Sequence, residues 1–260
     1  MRWLLLLTVS APLFAQLPAS NDAGVTMGHL HLMVAEPEAQ RKLWVEVLGA
    51  QPTHTGALEL LRLPGMYMVI GKARTPPTEG TDGSTVNHIG FLVKDLPAMK
   101  AKLDAAKIES APVNGNPKQI MAKFPEKVTV ELTEDSSIAV PVTMHHIHLS
   151  TPDPEQLRAW YLKTFGARAG TRGNFLAAFI PGGEVDTRKA QKPEAPTKGR
   201  SLDHIGFEVK NLEAFCHKLE ADGVKLETPY RDVPSIGLKI AFLTDPEGTR
   251  IELTEGLAGK

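Results

Sequence analysis

"MHHIHLSTPDPEQLRAWYLKTFG" (residues 144–166) sets three histidines in a short strand-like run and then turns into a helix-like segment. In a strand, successive side chains alternate between faces, so His146 and His148 share one face and His145 takes the other. The same pattern recurs along the chain: "GHLHLMV" from Gly28, "NHIGFLV" from Asn87, "HHIHLST" from His145 and "DHIGFEV" from Asp203. Each places a histidine before an apolar, variable, apolar triplet. The aligned histidines, His29, His88, His146 and His204, recur about 58 residues apart, which is the period of a structural repeat. The first and third runs resemble each other most, as do the second and fourth. The chain is a duplication of a duplication.

Each run is followed by a helical pattern: "PEAQRKLWVEVLG", "DLPAMKAKLDAA", "PDPEQLRAWYLKTFG" and "NLEAFCHKLEADG". Pro37, Pro97 and Pro154 lie near helix starts and Gly49, Gly166 and Gly223 at the stops. Strand-like segments fill the rest of each unit, among them "ALELLRL", "MYMVIGK", "KVTVELTE", "NFLAAFIP", "LKIAFLT" and "TRIELTE". One unit is therefore a strand, a helix and about three further strands, and four such units make an α+β chain. Two Gly-, Pro- and Thr-rich stretches, "KARTPPTEGTDGST" and "GGEVDTRKAQKPEAPTKGRS", read as loops in matching places, either lids or plain connections. The halves, 27–136 and 143–257, are joined by the short "EDSSIAVPVT".

Two strands end alike, in "VTVELTE" and "TRIELTE". Glu131 and Glu252 face away from the apolar residues that flank them, on the polar side of a strand whose other side is core. Gly90 and Gly206 leave room beside an imidazole. Each half thus offers two histidines and one glutamate on strand faces. That donor set suits a divalent transition ion such as Mn, Fe, Co, Ni or Zn, and three protein ligands leave positions open for water or substrate.

Composition narrows the alternatives. The formal net charge is −1 over 260 residues with no basic stripe, which argues against a nucleic-acid partner and against a polybasic membrane tether. The opening "MRWLLLLTVSAPLFAQ" carries one arginine, an apolar stretch from Trp3 to Val9 and small residues up to Ala15. It reads as a secretory signal within residues 1–20, cut near Ala15. The expected location is periplasmic or extracellular, with no membrane contact after cleavage. The single cysteine, Cys216, excludes an internal disulfide and reads as an inert packed thiol.

These motifs resemble the vicinal oxygen chelate superfamily, which includes glyoxalases, bleomycin- and fosfomycin-resistance proteins and extradiol dioxygenases. The resemblance covers nearly all of residues 27 to 256. It rests on the His-hydrophobic-x-hydrophobic strands, the repeated unit and the "FLTDPEGTRIEL" ending from Phe242. It implies four βαβββ units paired into two domains, 27–136 and 143–257, with curled mixed sheets that cup a metal. By position the ligands would be His29, His88 and Glu131, and His146, His204 and Glu252. Alternatively the halves exchange members: His29 with His204 and Glu252, and His146 with His88 and Glu131. His31 and His148 would be supporting or acid–base groups, and Tyr230 and Arg231 in "ETPYRDVPS" would orient a small-molecule substrate. The implied activity is divalent-metal catalysis of glyoxalase-like, lyase or isomerase type, on an enolate or oxyanion. An Fe(II) extradiol-type dioxygenase is a second reading, weakened by Phe242 standing where that subfamily has a tyrosine. A non-catalytic small-ligand binder is a third. Glyoxalase I has a further glutamate ligand, and "MYMVIGK" and "NFLAAFIP", taken as matching strands, offer none. The expected assembly is a monomer with an internal pseudo-dimer, or a homodimer.

Overall fold

A computed structural model describes residues 17–113 and 115–260. Most of the export segment, residues 1–16, lies outside them. All four units follow one plan. The first has β1 (Val25–Val34), α1 (Pro37–Leu48), β2 (Gln51–Thr55), β3 (Leu58–Leu63) and β4 (Met66–Lys72). The second has β5 (Val86–Val93), α2 (Leu96–Ala105), β6 (Glu109–Val113), β7 (Asn116–Phe124) and β8 (Val128–Glu134). The third has β9 (Val142–Thr151), α3 (Pro154–Phe165), β10 (Arg168–Arg172), β11 (Phe175–Ile180) and β12 (Gly183–Lys189). The fourth has β13 (Leu202–Val209), α4 (Leu212–Ala221), β14 (Leu226–Val233), β15 (Leu238–Thr244) and β16 (Arg250–Glu255).

The helices begin and end where local chemistry dictates. Asp95 and Asp153 accept hydrogen bonds from the backbone N–H groups of Ala98 and Gln156, satisfying donors at the first turns of α2 and α3. Gly49 and Gly166 close α1 and α3 at φ 74° and 63°, a left-handed conformation that costs glycine little.

Within every unit the last strand runs parallel to the first, and the middle two return antiparallel. The units join through their first strands: β1 pairs antiparallel with β13, and β5 with β9. Two eight-stranded sheets result, ordered β14-β15-β16-β13-β1-β4-β3-β2 and β10-β11-β12-β9-β5-β8-β7-β6. The halves 27–136 and 143–257 therefore do not each close a sheet. One cup joins units one and four, here the outer cup, and the other joins units two and three, the inner cup. The halves cohere instead through their helices and convex faces. Trp44 of α1 lies 4.8 Å from the Phe124 ring and 6.1 Å from Phe91, both in unit two, and Phe165 of α3 lies 4.8 Å from Phe207 in unit four. One apolar core runs beneath both sheets.

Two sequence expectations are corrected. Residues 183–189 are strand β12 rather than loop: "GEVDTRK" alternates Val185 and Thr187 against Glu184 and Asp186, and its charge disguised the period. That strand, not β11, takes the place of β4, since both run parallel to the first strand of their unit. The loops at 73–85 and 190–201, which the sequence left open as lids or connections, lie against each other. They tie the sheets together, with a bridge between Ser84 and Ala195 and Arg200 donating to the carbonyls of Gly80 and Asp82. Cys216 is buried on α4, and burial pushes its thiol up to about 11, which keeps it protonated.

Candidate metal centres

Alternation decides which side chains enter each cup. In the outer cup, His29 pairs with Gly206, His31 with His204, and Gly206 with Glu252 across three adjacent strands. Paired residues share a face, so these side chains meet. Nε2 of His29 and Nε2 of His204 each lie 2.9 Å from the same oxygen, Oε2 of Glu252. His31 adds a fourth donor atom, all four within 4.8 Å of one another. In the inner cup, Nε2 of His88 lies 3.2 Å from Nε2 of His146 and 3.1 Å from Oε2 of Glu131, which is also 3.7 Å from His146 through Oε1. Donor atoms of His88, His146 and His148 lie within 4.8 Å of one another.

The structure thus brings together the exchanged sets, His29–His204–Glu252 and His146–His88–Glu131, because the cups form across the halves. The glycines explain the tight approach. A Cβ on Gly206 would fall 2.1 Å from the His29 ring, and one on Gly90 would fall 2.0 Å from the His146 ring. Each glycine vacates the space that an imidazole from the neighbouring strand fills.

The residues fit a cation. Nδ1 of His204 lies 2.7 Å from Oδ1 of Asp203, and Nδ1 of His88 lies 2.8 Å from Oδ1 of Asn87. Each contact places the Nδ1 hydrogen on an oxygen, which leaves Nε2 as the donor atom facing the carboxylate. A lone pair does not face a carboxylate oxygen at 2.9 Å unless a positive charge lies between them. Burial opposes a charge on His204, but the bonds to Asp203 and Glu252 raise it above its ordinary value. Burial works against Glu131 too, but the His88 bond and charge and the Arg172 charge hold it down at about 2. Glu252 is likewise held below the usual range by His204 and His29 against the effect of burial. His146 and His31 are pushed well below their ordinary values, chiefly by burial, and burial takes His148 to about 3. Neutral imidazoles and ionised carboxylates are the forms that ligate metals.

The walls of the two cups differ. The outer cup is apolar, with Leu60, Tyr67, Val69, Ile240 and Phe242 joined by Leu17 and Leu257. The inner cup carries Arg172, Glu184 and Asp186, none of which the sequence reading had singled out. Glu184 pairs with His146 and Asp186 with His148 on adjacent strands. The carboxylate expected to be missing from the place of β4 is therefore present in one cup.

His31 and His148 sit where expected, their rings 4.4 Å from His204 and 4.5 Å from His88 respectively. His145 is less detached than alternation implied. The register with β5 slips between Gly90 and Phe91, and His145 contacts both His146 at 3.1 Å and Glu184 at 3.4 Å. Tyr230 and Arg231 do not join either ligand set. They lie on the edge strand β14, where Tyr230 packs on the helix-side core and Arg231 is exposed.

Comparison with known proteins agrees with this architecture. Residues 143–253 match the sequence model of the Glyoxalase/Bleomycin resistance protein/Dioxygenase superfamily. A point variant of glyoxalase I from Zea mays superposes with a TM-score of 0.69 at 15% identity, over 89% of this chain and 94% of that one. A Bacillus subtilis protein provisionally assigned as a dioxygenase also reaches 0.69, at 13% identity, over 94% and 88%. At such identities the likeness is one of fold. Among curated proteins none matches the chain in sequence.

Proposed function

Residues 143–253 belong to the Glyoxalase/Bleomycin resistance protein/Dioxygenase superfamily and the first half repeats their fold; from that premise we propose that the chain is a divalent-metal enzyme of glyoxalase-like, lyase or isomerase type. The observation that carries this reading is the convergence of two imidazole Nε2 atoms on one carboxylate oxygen at 2.9 Å in the outer cup. When bound, a divalent ion supplies Lewis-acid stabilisation of two neighbouring substrate oxygens and of the enolate or oxyanion that develops.

The chain's own residues do the rest. His29, His204 and Glu252 would hold the ion, and Asp203 fixes the ring of His204. His31, kept neutral at ordinary pH by burial and by its neighbour His204, is placed at the rim to accept a substrate proton. The apolar wall of Leu60, Val69, Ile240 and Phe242 excludes water and suits a substrate whose oxygens sit on an apolar body. Phe242, 5.2 Å from the His204 ring, has no hydroxyl to offer a catechol, so the dioxygenase reading gains nothing from this wall.

The test is metal analysis of the purified chain after reconstitution, with proton exchange at the carbon beside a carbonyl followed by NMR in deuterated water on α-hydroxyketones. Metal binding and exchange that both disappear in His29→Ala and His204→Ala are expected. A chain that takes up no divalent ion would sink the reading. Export is part of the same proposal and rests on residues 1–15. A mature N-terminus near Gln16, read by sequencing the protein recovered outside the cytoplasm, is the expected result.

A further inference from the structure

The strand registers allow the two cups to be compared position by position. In the inner cup Glu184 stands beside His146 and Asp186 beside His148; in the outer cup Tyr67 stands beside His29 and Val69 beside His31. Arg172 pairs with Phe175 across the first hairpin of its unit, as Thr55 pairs with Leu58. So the inner cup has arginine, glutamate and aspartate where the outer cup has threonine, tyrosine and valine.

These three side chains act together. Nε of Arg172 bonds closely to Oδ2 of Asp186 and lies 3.3 Å from Oε1 of Glu184. Its terminal nitrogens span the ligand set, one 3.3 Å from Nδ1 of His148 and the other 3.6 Å from Oε1 of Glu131. The Phe175 ring lies 5.7 Å from the guanidinium and 4.5 Å from the His148 ring, completing the cover. A planar guanidinium held by two carboxylates is a rigid fixture. Beneath it the side chains of His88, His146 and Glu131 are 5%, 0% and 7% exposed. The outer cup has threonine in the place of that arginine; Leu17 and Leu257 pack on its apolar wall, and the Tyr67 hydroxyl donates to the Lys260 carbonyl. The Thr55 hydroxyl turns to the Ile236 carbonyl; the His29 and His204 side chains are 2% and 4% exposed, as deep as the inner histidines, while Glu252 keeps 12% and His31 is partly exposed at the rim.

We propose that Arg172, held by Asp186 and Glu184, plugs the inner cup, so that only the outer cup presents a bound ion to substrate. The guanidinium then fills the space in which substrate would approach the open positions of a three-ligand site, and an ion there would serve the fold rather than the chemistry. This inference rests on the metal reading above, and the experiment separates the two.

The protein is reconstituted with Co²⁺ and titrated with azide, a small anion that shifts the visible cobalt bands only where a coordination position is open. The azide response is expected to persist in His88→Ala and to vanish in His204→Ala. In Arg172→Ala the responsive absorbance is expected to rise about twofold. A response lost in His88→Ala or retained in His204→Ala overturns the plug while leaving metal binding intact, as does a folded Arg172→Ala with no gain. Where Arg172→Ala does not fold, as judged by circular dichroism, the histidine pair decides alone. Failure of the wild-type chain to bind Co²⁺ overturns the metal reading, and the plug with it.

Discussion

At Gly206 a single methyl group would fall 2.1 Å from Cε1 and 2.2 Å from Nδ1 of His29, closer than any real contact allows. Gly206→Ala should therefore turn the imidazole aside, destabilising the metal-free chain by about 1–3 kcal/mol, the usual cost of overpacking, and weakening metal binding at the outer cup. Urea denaturation and calorimetric titration check the two effects. Asp203 offers a gentler probe. Its carboxylate accepts from His204 and is also held by Arg250 at 2.8 Å. Asp203→Asn should keep the shape but weaken the orientation of the ring, costing about 10- to 100-fold in metal affinity. An unchanged affinity would show that the ring is positioned by packing alone. Both residues were within reach of the sequence to different degrees. Gly206 was legible as space beside an imidazole, although the imidazole it accommodates comes from another strand. Asp203 precedes a ligand in sequence, and nothing in a linear reading says that its side chain bends back to the neighbouring ring.

Strands β8 and β12 set opposite pH dependences within the inner cup. On β8, Glu131 is held at about 2, against an ordinary value of 4.5. A carboxylate whose value is depressed on folding contributes stability in full above its unfolded value and loses it as the pH falls through the folded one. The metal-free chain should thus lose stability between about pH 5 and pH 2, and Glu131→Gln should flatten that limb. On β12, burial and the Asp186 charge push Glu184 up to about 7, with Arg172 opposing, and burial raises Asp186 to about 6 against the pull of Arg172. Ionising these groups costs more in the folded chain than in the unfolded one, so their effect has the reverse sign. Stability should fall as the pH rises from about 4 to 7, and Glu184→Gln should remove part of that decline. Denaturant midpoints measured across pH for the wild type and both variants give the two slopes. The sequence displayed β8 plainly, since its apolar residues alternate with Glu131. It concealed β12, because a strand with acidic residues on its inner face is written like a loop.

In the whole molecule, the helix-side core joins what the sheets separate. Units one and two share no sheet, yet Trp44 of α1 is fully buried among rings from unit two. Trp44→Ala should cost about 3–5 kcal/mol by emptying that junction, as read by urea denaturation, and the loss should appear as one transition because a single apolar core underlies both sheets. The amino-acid sequence by itself determined the unit, its fourfold repetition and six of the side chains that line the cups. Periodicity of two in strands and 3.6 in helices is a local property, and duplication repeats it in register. The tertiary structure alone decided which units share a sheet, since β1 could extend its edge along β5 or along β13 with the same alternation. It also decided that Arg172 reaches Asp186, Glu184 and Glu131 at once. Asp186 and Glu184 lie on β12 and Glu131 on β8 of another unit, and a contact that spans units has no signature until the strands are paired.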